Sequence, residues 1–402
     1  MRAATLLPLA CLLALLPAAA AQARDPKTVF HGLGTQPDED LKPGQADPIL
    51  LTPAWTYDGF TAPLAGDAVG SPMHLVAADR GGAVVALDAE GGRPIWRASL
   101  QTPLAIGPSL IEEVVYQATS GGIVHALALG DGAEIWQAPT WGAAIAPPQL
   151  VAGRLIVATD APGLLALDPR DGKELGRLVL PGRPLPPAAD DTAIVIGTDH
   201  GMVLAIDPLT FSVRWRRYVR HAITAPPVLV KRRIYVVAAD HSLRCLRRSS
   251  GRPVWTQRTA STVTARMLAL EPFLYVLCFD NDIYVVRLGN GHLTGRVRME
   301  HRLSQDAVVR GDHLFLAPFT EGAVIGLALP ALGKAGRFAL EARGEWFTTR
   351  PVVAGDQVAV GYGREAGRII GLTVVAGKRD GPDAAKKTTA ETAPPAPPPP
   401  TP

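Results

Sequence analysis

Residues 77–97 read AADRGGAVVALDAEGGRPIWR. Short apolar runs of small and β-branched residues alternate there with polar breaks built from Asp and Gly. The pattern predicts a strand, a tight turn at 79–82, a second strand over 83–88, a glycine turn at 91–92 and a third strand that ends on Trp96. Asp and Gly tolerate the backbone angles that such hairpins need, and no apolar run has the spacing of a helix.

The same phrase returns along the chain. Trp96 is matched by Trp136, Gly176, Trp215, Trp255, Gly295 and Gly336, with Trp55 ahead of them, so successive markers stand 39 to 41 residues apart. Asp88, Asp168 and Asp207 each precede a marker by eight residues, and an Arg follows at 97, 177, 216, 296 and 337. A fixed period near forty with several strands per unit is the signature of a propeller. The ends fit together. The last unit, 351–372, has three strands and no marker strand, whereas Trp55 has a marker strand and no sheet before it. The expected fold is therefore an all-β, eight-bladed propeller of four-stranded antiparallel sheets spanning residues 50–376, closed by the N-terminal strand completing the last blade. Closure removes the edges an open stack would expose, and the ring is expected to be a monomer. The strand after each Pro-bearing lead-in should line the channel. The marker strand should be outermost, with Trp55, Trp96, Trp136, Trp215 and Trp255 as wedges between blades. The junctions marked by Gly176, Gly295 and Gly336 should then be looser.

Composition changes this picture little. Hydrophobic residues make up 47 % and charged residues 19 %, with 40 Gly and 37 Pro, which suits many short strands. A net charge of +3 gives no footing for nucleic acid. Residues 1–23 read as a secretory signal peptide: Arg2, an apolar core, then Ala21-Gln22-Ala23. That predicts an exported, periplasmic protein whose mature part has no transmembrane segment. Cys11 is a poor lipidation site, because Pro8 and Leu9 precede it and the apolar core continues past it. Residues 24–49 are expected to be an irregular arm, and 377–402 a disordered proline-rich tail. Cys245 and Cys278 fall in neighbouring units at different heights, which favours two buried thiols over a disulfide.

The pattern D-x-x-G-x-x-x-A-L-D-x-x-x-G-x-x-x-W, carried by Asp79, Gly82, Leu87, Asp88, Gly92 and Trp96, resembles the repeat of PQQ-type (quinoprotein-like) β-propellers. It returns in Asp160, Gly163, Leu167, Asp168 and Gly172 with one residue fewer and Gly176 for the Trp. Within that family a small exported eight-bladed chain is similar to the BamB-type propellers. The resemblance implies a non-catalytic scaffold that binds envelope proteins, among them the outer-membrane barrel-assembly machinery. Two alternatives stand beside it: a PQQ-dependent dehydrogenase, and a ligand-binding or sensor propeller of the envelope. Dehydrogenases of this family carry adjacent cysteines over the quinone, calcium ligands and long insertions. None of these features occurs here, so neither PQQ nor calcium is expected. Asp280-Asn281-Asp282 is the nearest acidic cluster and sits at a hairpin turn, short of the six or more oxygens calcium needs.

The repeats disagree most in the lead-in to each inner strand. It is small or apolar at 105–107, 144–146 and 224–225, but carries Arg266, Asp306 and Arg350 in the last three units. These three should cluster at one mouth of the channel, with Trp141, His221 and Trp346 in the preceding loops. Two uses are open: a partner-binding or small-anion surface, or a set of ion pairs bracing the ring.

Overall fold

The structure, a computed structural model, describes residues 30–31 and 47–377 apart from 162, 304, 319–321 and 342–344. The expected signal peptide with Cys11, most of the arm, and the tail beyond 377 lie outside the described residues. The described chain contains no helix. It folds into eight sheets of four antiparallel strands each, the eight blades of a propeller. In blade 1 the strands are Val69–Gly70, His74–Ala78, Ala83–Asp88 and Pro94–Ser99, from the channel outward. Blade 8 is built from Val352–Ala354, Gln357–Tyr362 and Arg368–Ala376, and its outermost strand is Ile49–Tyr57 from the other end of the chain. That pair runs from Ile49 opposite Ala376 to Tyr57 opposite Ile369, with one register shift between Pro53 and Trp55.

Burial follows from the stacking of blades. The two middle strands of a blade are covered on both faces, so they read as unbroken apolar runs: Val84, Val85, Ala86 and Leu87 have no measurable exposure. The outer strand alternates, as in Glu134–Pro139, where Trp136 and Ala138 are buried between exposed neighbours. The buried apolar side chains form eight clusters, and each draws on two adjacent blades.

The markers explain how these junctions fill. Each Trp lies across the glycine of the next blade's outer turn. A Cβ at Gly132, Gly172, Gly251 or Gly291 would come within 2.5 Å of the ring of Trp96, Trp136, Trp215 or Trp255. The same four indoles donate to the carbonyls of Leu129, Pro169, Arg248 and Leu288. At two of the three Gly markers a residue of the neighbouring blade takes up the volume. Phe211, at the position those glycines hold, lies over Gly176, and Ile49 occupies the space beside Gly336. Leu332, again at that turn position, is buried in the junction beyond Gly295, in one cluster with Val285, the nearest neighbour of Gly295. At Gly176 and Gly336 the expected looseness is therefore replaced by a large-for-small exchange across the seam.

Two further points concern the expectations. Phe30–His31, inside the arm expected to be irregular, forms a short fifth strand parallel to Pro253–Arg258 of blade 5. Cys245 and Cys278 are free and fully buried in the core between blades 5 and 6. Burial pushes the Cys245 thiol up to about 12, so it stays protonated and unreactive.

Candidate partner-binding face and channel mouth

The residue two positions before each inner strand faces one cavity of about 420 Å³ at the channel mouth. Gly107, Pro147, Pro186 and Pro226 line one half of this ring, and Arg266, Asp306, Arg350 and Asp67 the other. The structure thus brings Arg266, Asp306 and Arg350 together as expected, on consecutive junctions. It adds Asp67, which the sequence reading had not singled out. Its signal was available: Asp67 stands two residues before Val69, the register of the other three.

The four charges alternate in sign, and Arg350 pairs with both carboxylates. Arg350 Nε lies 3.0 Å from Asp67 Oδ2, and Arg350 Nη1 lies 3.4 Å from Asp306 Oδ2. Each carboxylate also crosses a junction to accept a backbone N–H: Arg266 donates to Asp306 at 2.6 Å and Arg350 to Asp67 at 2.9 Å. On the other half of the ring the prolines at 147, 186 and 226 have no N–H to satisfy. Proline and aspartate are thus two answers to one problem, a backbone donor at a crowded mouth. Burial lifts the Asp67 carboxyl above its ordinary value against the pull of Arg350, and burial likewise lowers the Arg266 guanidinium.

Trp141, His221 and Trp346 do not join this cluster. They sit in three different connections, between blades 2 and 3, 4 and 5, and 7 and 8. His221 is exposed. Trp346 is stacked under Arg364, 3.4 Å from the ring centroid. Trp141 is 63 % exposed, yet it is held. The Arg177 guanidinium lies 4.1 Å over its ring and its indole N–H reaches Glu174 Oε2 at 3.4 Å. It borders a cavity of about 260 Å³ that Leu164, Leu165 and Val179 also line, and Val179 is 77 % exposed. A rigid, exposed aromatic beside an apolar cavity has the chemistry of an interface anchor. Val179 is the second residue the sequence reading missed.

Asp280, Asn281 and Asp282 occupy the hairpin turn expected of them. The Asp280 carboxylate accepts from the Asp282 N–H, and Asp282 is buried and paired with Arg296 and Arg298. The mouth does not fit a quinone held with calcium. Its carboxylates, Asp67 and Asp306, are both engaged by Arg350 and by backbone donors, and among the described residues no other carboxylate lines the cavity.

Comparison with known proteins gives concordant results. A family profile described as outer membrane protein assembly factor BamB matches residues 80–180 and 163–379. The outer membrane protein assembly factor BamB of Marinobacter adhaerens is 30 % identical over 130 residues, which is 32 % of this chain and 32 % of that protein. The chain therefore matches about a third of that relative's length. Among solved structures, BamB from Moraxella catarrhalis superposes with a TM-score of 0.66 at 17 % identity, covering 80 % of this chain and 99 % of that one. The quinohemoprotein alcohol dehydrogenase of Comamonas testosteroni gives 0.66 at 13 % identity, covering 83 % and 77 %. A designed protein, Ika8, gives 0.70 at 14 %, covering 79 % and 99 %. At these identities the structural matches speak for the propeller fold alone.

Proposed function

Since the chain belongs to the family of outer membrane protein assembly factor BamB, we propose that it is a monomeric, non-catalytic scaffold of the periplasm that docks protein partners in outer-membrane protein assembly. The observation that carries this reading is Trp141, exposed but clamped by Arg177 and Glu174 beside the apolar cavity that ends at Val179. An aromatic fixed before a partner arrives loses little side-chain entropy on docking. The charged mouth has the bracing role here: Arg350 pairs with both Asp306 and Asp67, and the two carboxylates accept backbone N–H groups across the seams from blade 6 round to blade 1.

The test is affinity purification from the native envelope after mild crosslinking, followed by mass spectrometry. Recovery of barrel-assembly subunits is expected with the wild type and should fall about tenfold with Trp141→Ala/Val179→Asp, a change of about 1.4 kcal/mol. Equal recovery by the folded variant would remove Trp141 as the anchor. Absence of those subunits from the wild-type sample would remove the assembly role. A bound chromophore after incubation with PQQ and calcium would instead favour the dehydrogenase reading.

A further inference from the structure

A concentration of positive charge lies on the opposite face, in a pocket between blades 4 and 5. The pocket has a volume of about 740 Å³ and is lined by five guanidinium groups, Arg214, Arg232, Arg233, Arg247 and Arg248. Two have carboxylate partners: Arg214 pairs with Asp207 at 2.5 Å, and Arg248 with Asp190. Among the described residues Arg232, Arg233 and Arg247 pair with no carboxylate, and the nearby Lys231 is already matched by Glu271 at 2.5 Å. Five cations less two anions leave three positive charges facing one cavity.

The repeat itself does not require these residues. Where blades 1, 3 and 4 read Ala-Leu-Asp or Ala-Ile-Asp, blade 5 reads Cys245-Leu246-Arg247, followed by Arg248. In those three blades the Asp caps the outer turn: Asp88 accepts from Gly91 N–H at 2.8 Å, Asp168 from Arg170 N–H at 2.9 Å and Asp207 from Leu209 N–H at 2.9 Å. Blade 5 forgoes the cap and reverses the charge; blade 6 also has an Arg there, Arg287, but lays it over the Phe273 ring, whereas Arg247 lines the pocket beside Arg248. The room for a ligand also has a local cause. Ala193 opens its strand at the position held by His74, Val114, Arg154, Arg233, Phe273, His313 and Gln357 in the other blades, and it is the smallest of the eight. Removing bulk at this place and adding guanidinium forks around it produces a site shaped for a multivalent anion. Guanidinium groups match phosphate oxygens two at a time.

We propose that this pocket binds a phosphate-bearing ligand of two or more negative charges. It is separate from the Trp141 face, so anion and protein partner can be held together.

Calorimetric titration with pyrophosphate at low ionic strength, and co-sedimentation with vesicles of phosphatidylcholine alone or with an anionic phospholipid, test the proposal. Two variants are compared with wild type: Arg247→Asp, which installs the residue of blades 1, 3 and 4, and Arg232→Ala, at an exposed turn. Melting curves confirm that both fold. The expected result is binding that each variant weakens about tenfold and that added salt weakens further. Pyrophosphate binding without vesicle binding supports a soluble phosphate compound as ligand. Binding confined to, or much stronger with, the anionic vesicles supports a lipid headgroup. No binding of either probe, or binding unchanged in both folded variants, overturns the proposal.

Discussion

At the scale of single residues the ring is held by a volume rule: Trp meets Gly across a seam, and Gly176 and Gly336 meet Phe211 and Ile49. The 40-residue period makes Trp136 visible as a marker in the sequence. Its partner Gly172 is visible only as a turn glycine, and that the two touch follows from the curvature of the closed ring. Phe211 was not legible for the same reason, since nothing within blade 4 tells what Gly176 in blade 3 lacks. Trp136 is buried, and its indole N–H is satisfied by the Pro169 carbonyl at 2.9 Å. Trp136→Ala leaves a cavity that the backbone of Gly172 cannot fill, and it should cost about 3–5 kcal/mol in denaturant unfolding. A loss below about 1 kcal/mol would show that the seam closes without it.

At the scale of the element the outer turns carry a pH dependence. Asp168 accepts from the Arg170 backbone and pairs with its guanidinium at 2.7 Å, and these bonds hold its carboxyl down to about 2. A carboxyl whose folded value lies below its unfolded value stabilises the fold above the unfolded value, near 4. That contribution is lost as pH falls from about 4 toward 2. Asp168→Asn should therefore lower Tm slightly at pH 7 and leave it unchanged near pH 2. An equal shift at both values would mean that the turn is held by shape and not by charge. The turns themselves were readable from Asp-x-x-x-Gly. The lead-ins were readable only in part: Arg266, Asp306 and Arg350 broke a run of small residues and prolines, whereas Asp67 was hidden because its segment follows the closing strand and looks like part of an arm. Trp141 was picked out as an aromatic in a loop, but its partners Arg177 and Glu174 lie on the far strand of the next blade, beyond the reach of local pattern.

At the scale of the whole molecule, stability is shared in a circle. Each apolar cluster belongs to two blades, so no blade owns a core. Leu51, buried in the closing strand, contributes to the junction of blades 7 and 8. Leu51→Asp places a charge there and should lower Tm by many degrees in one cooperative transition. Separate melting of blade 8, ahead of the rest, would show that the blades are energetically independent. The ring closure was legible from counting alone, because a three-strand unit at one end and a lone marker strand at the other leave one arrangement without open edges. The arginine-lined pocket was not, since it depends on which residues of blades 4 and 5 face the same space.

The closing ladder has a mechanical side. Ile49 opposes Ala376, and Gly377 N–H donates to the Pro48 carbonyl at 2.7 Å, so the two chain ends leave the ring side by side at one end of the same strand pair. Tension applied between residues 48 and 377 would load these bonds one after another, in peeling, and not all together in shear. A tether that pulled on both ends would find the weakest direction of the ring. One that pulled on a single end, against a partner gripping the blades, would load the ladder along its length, where every bond resists at once.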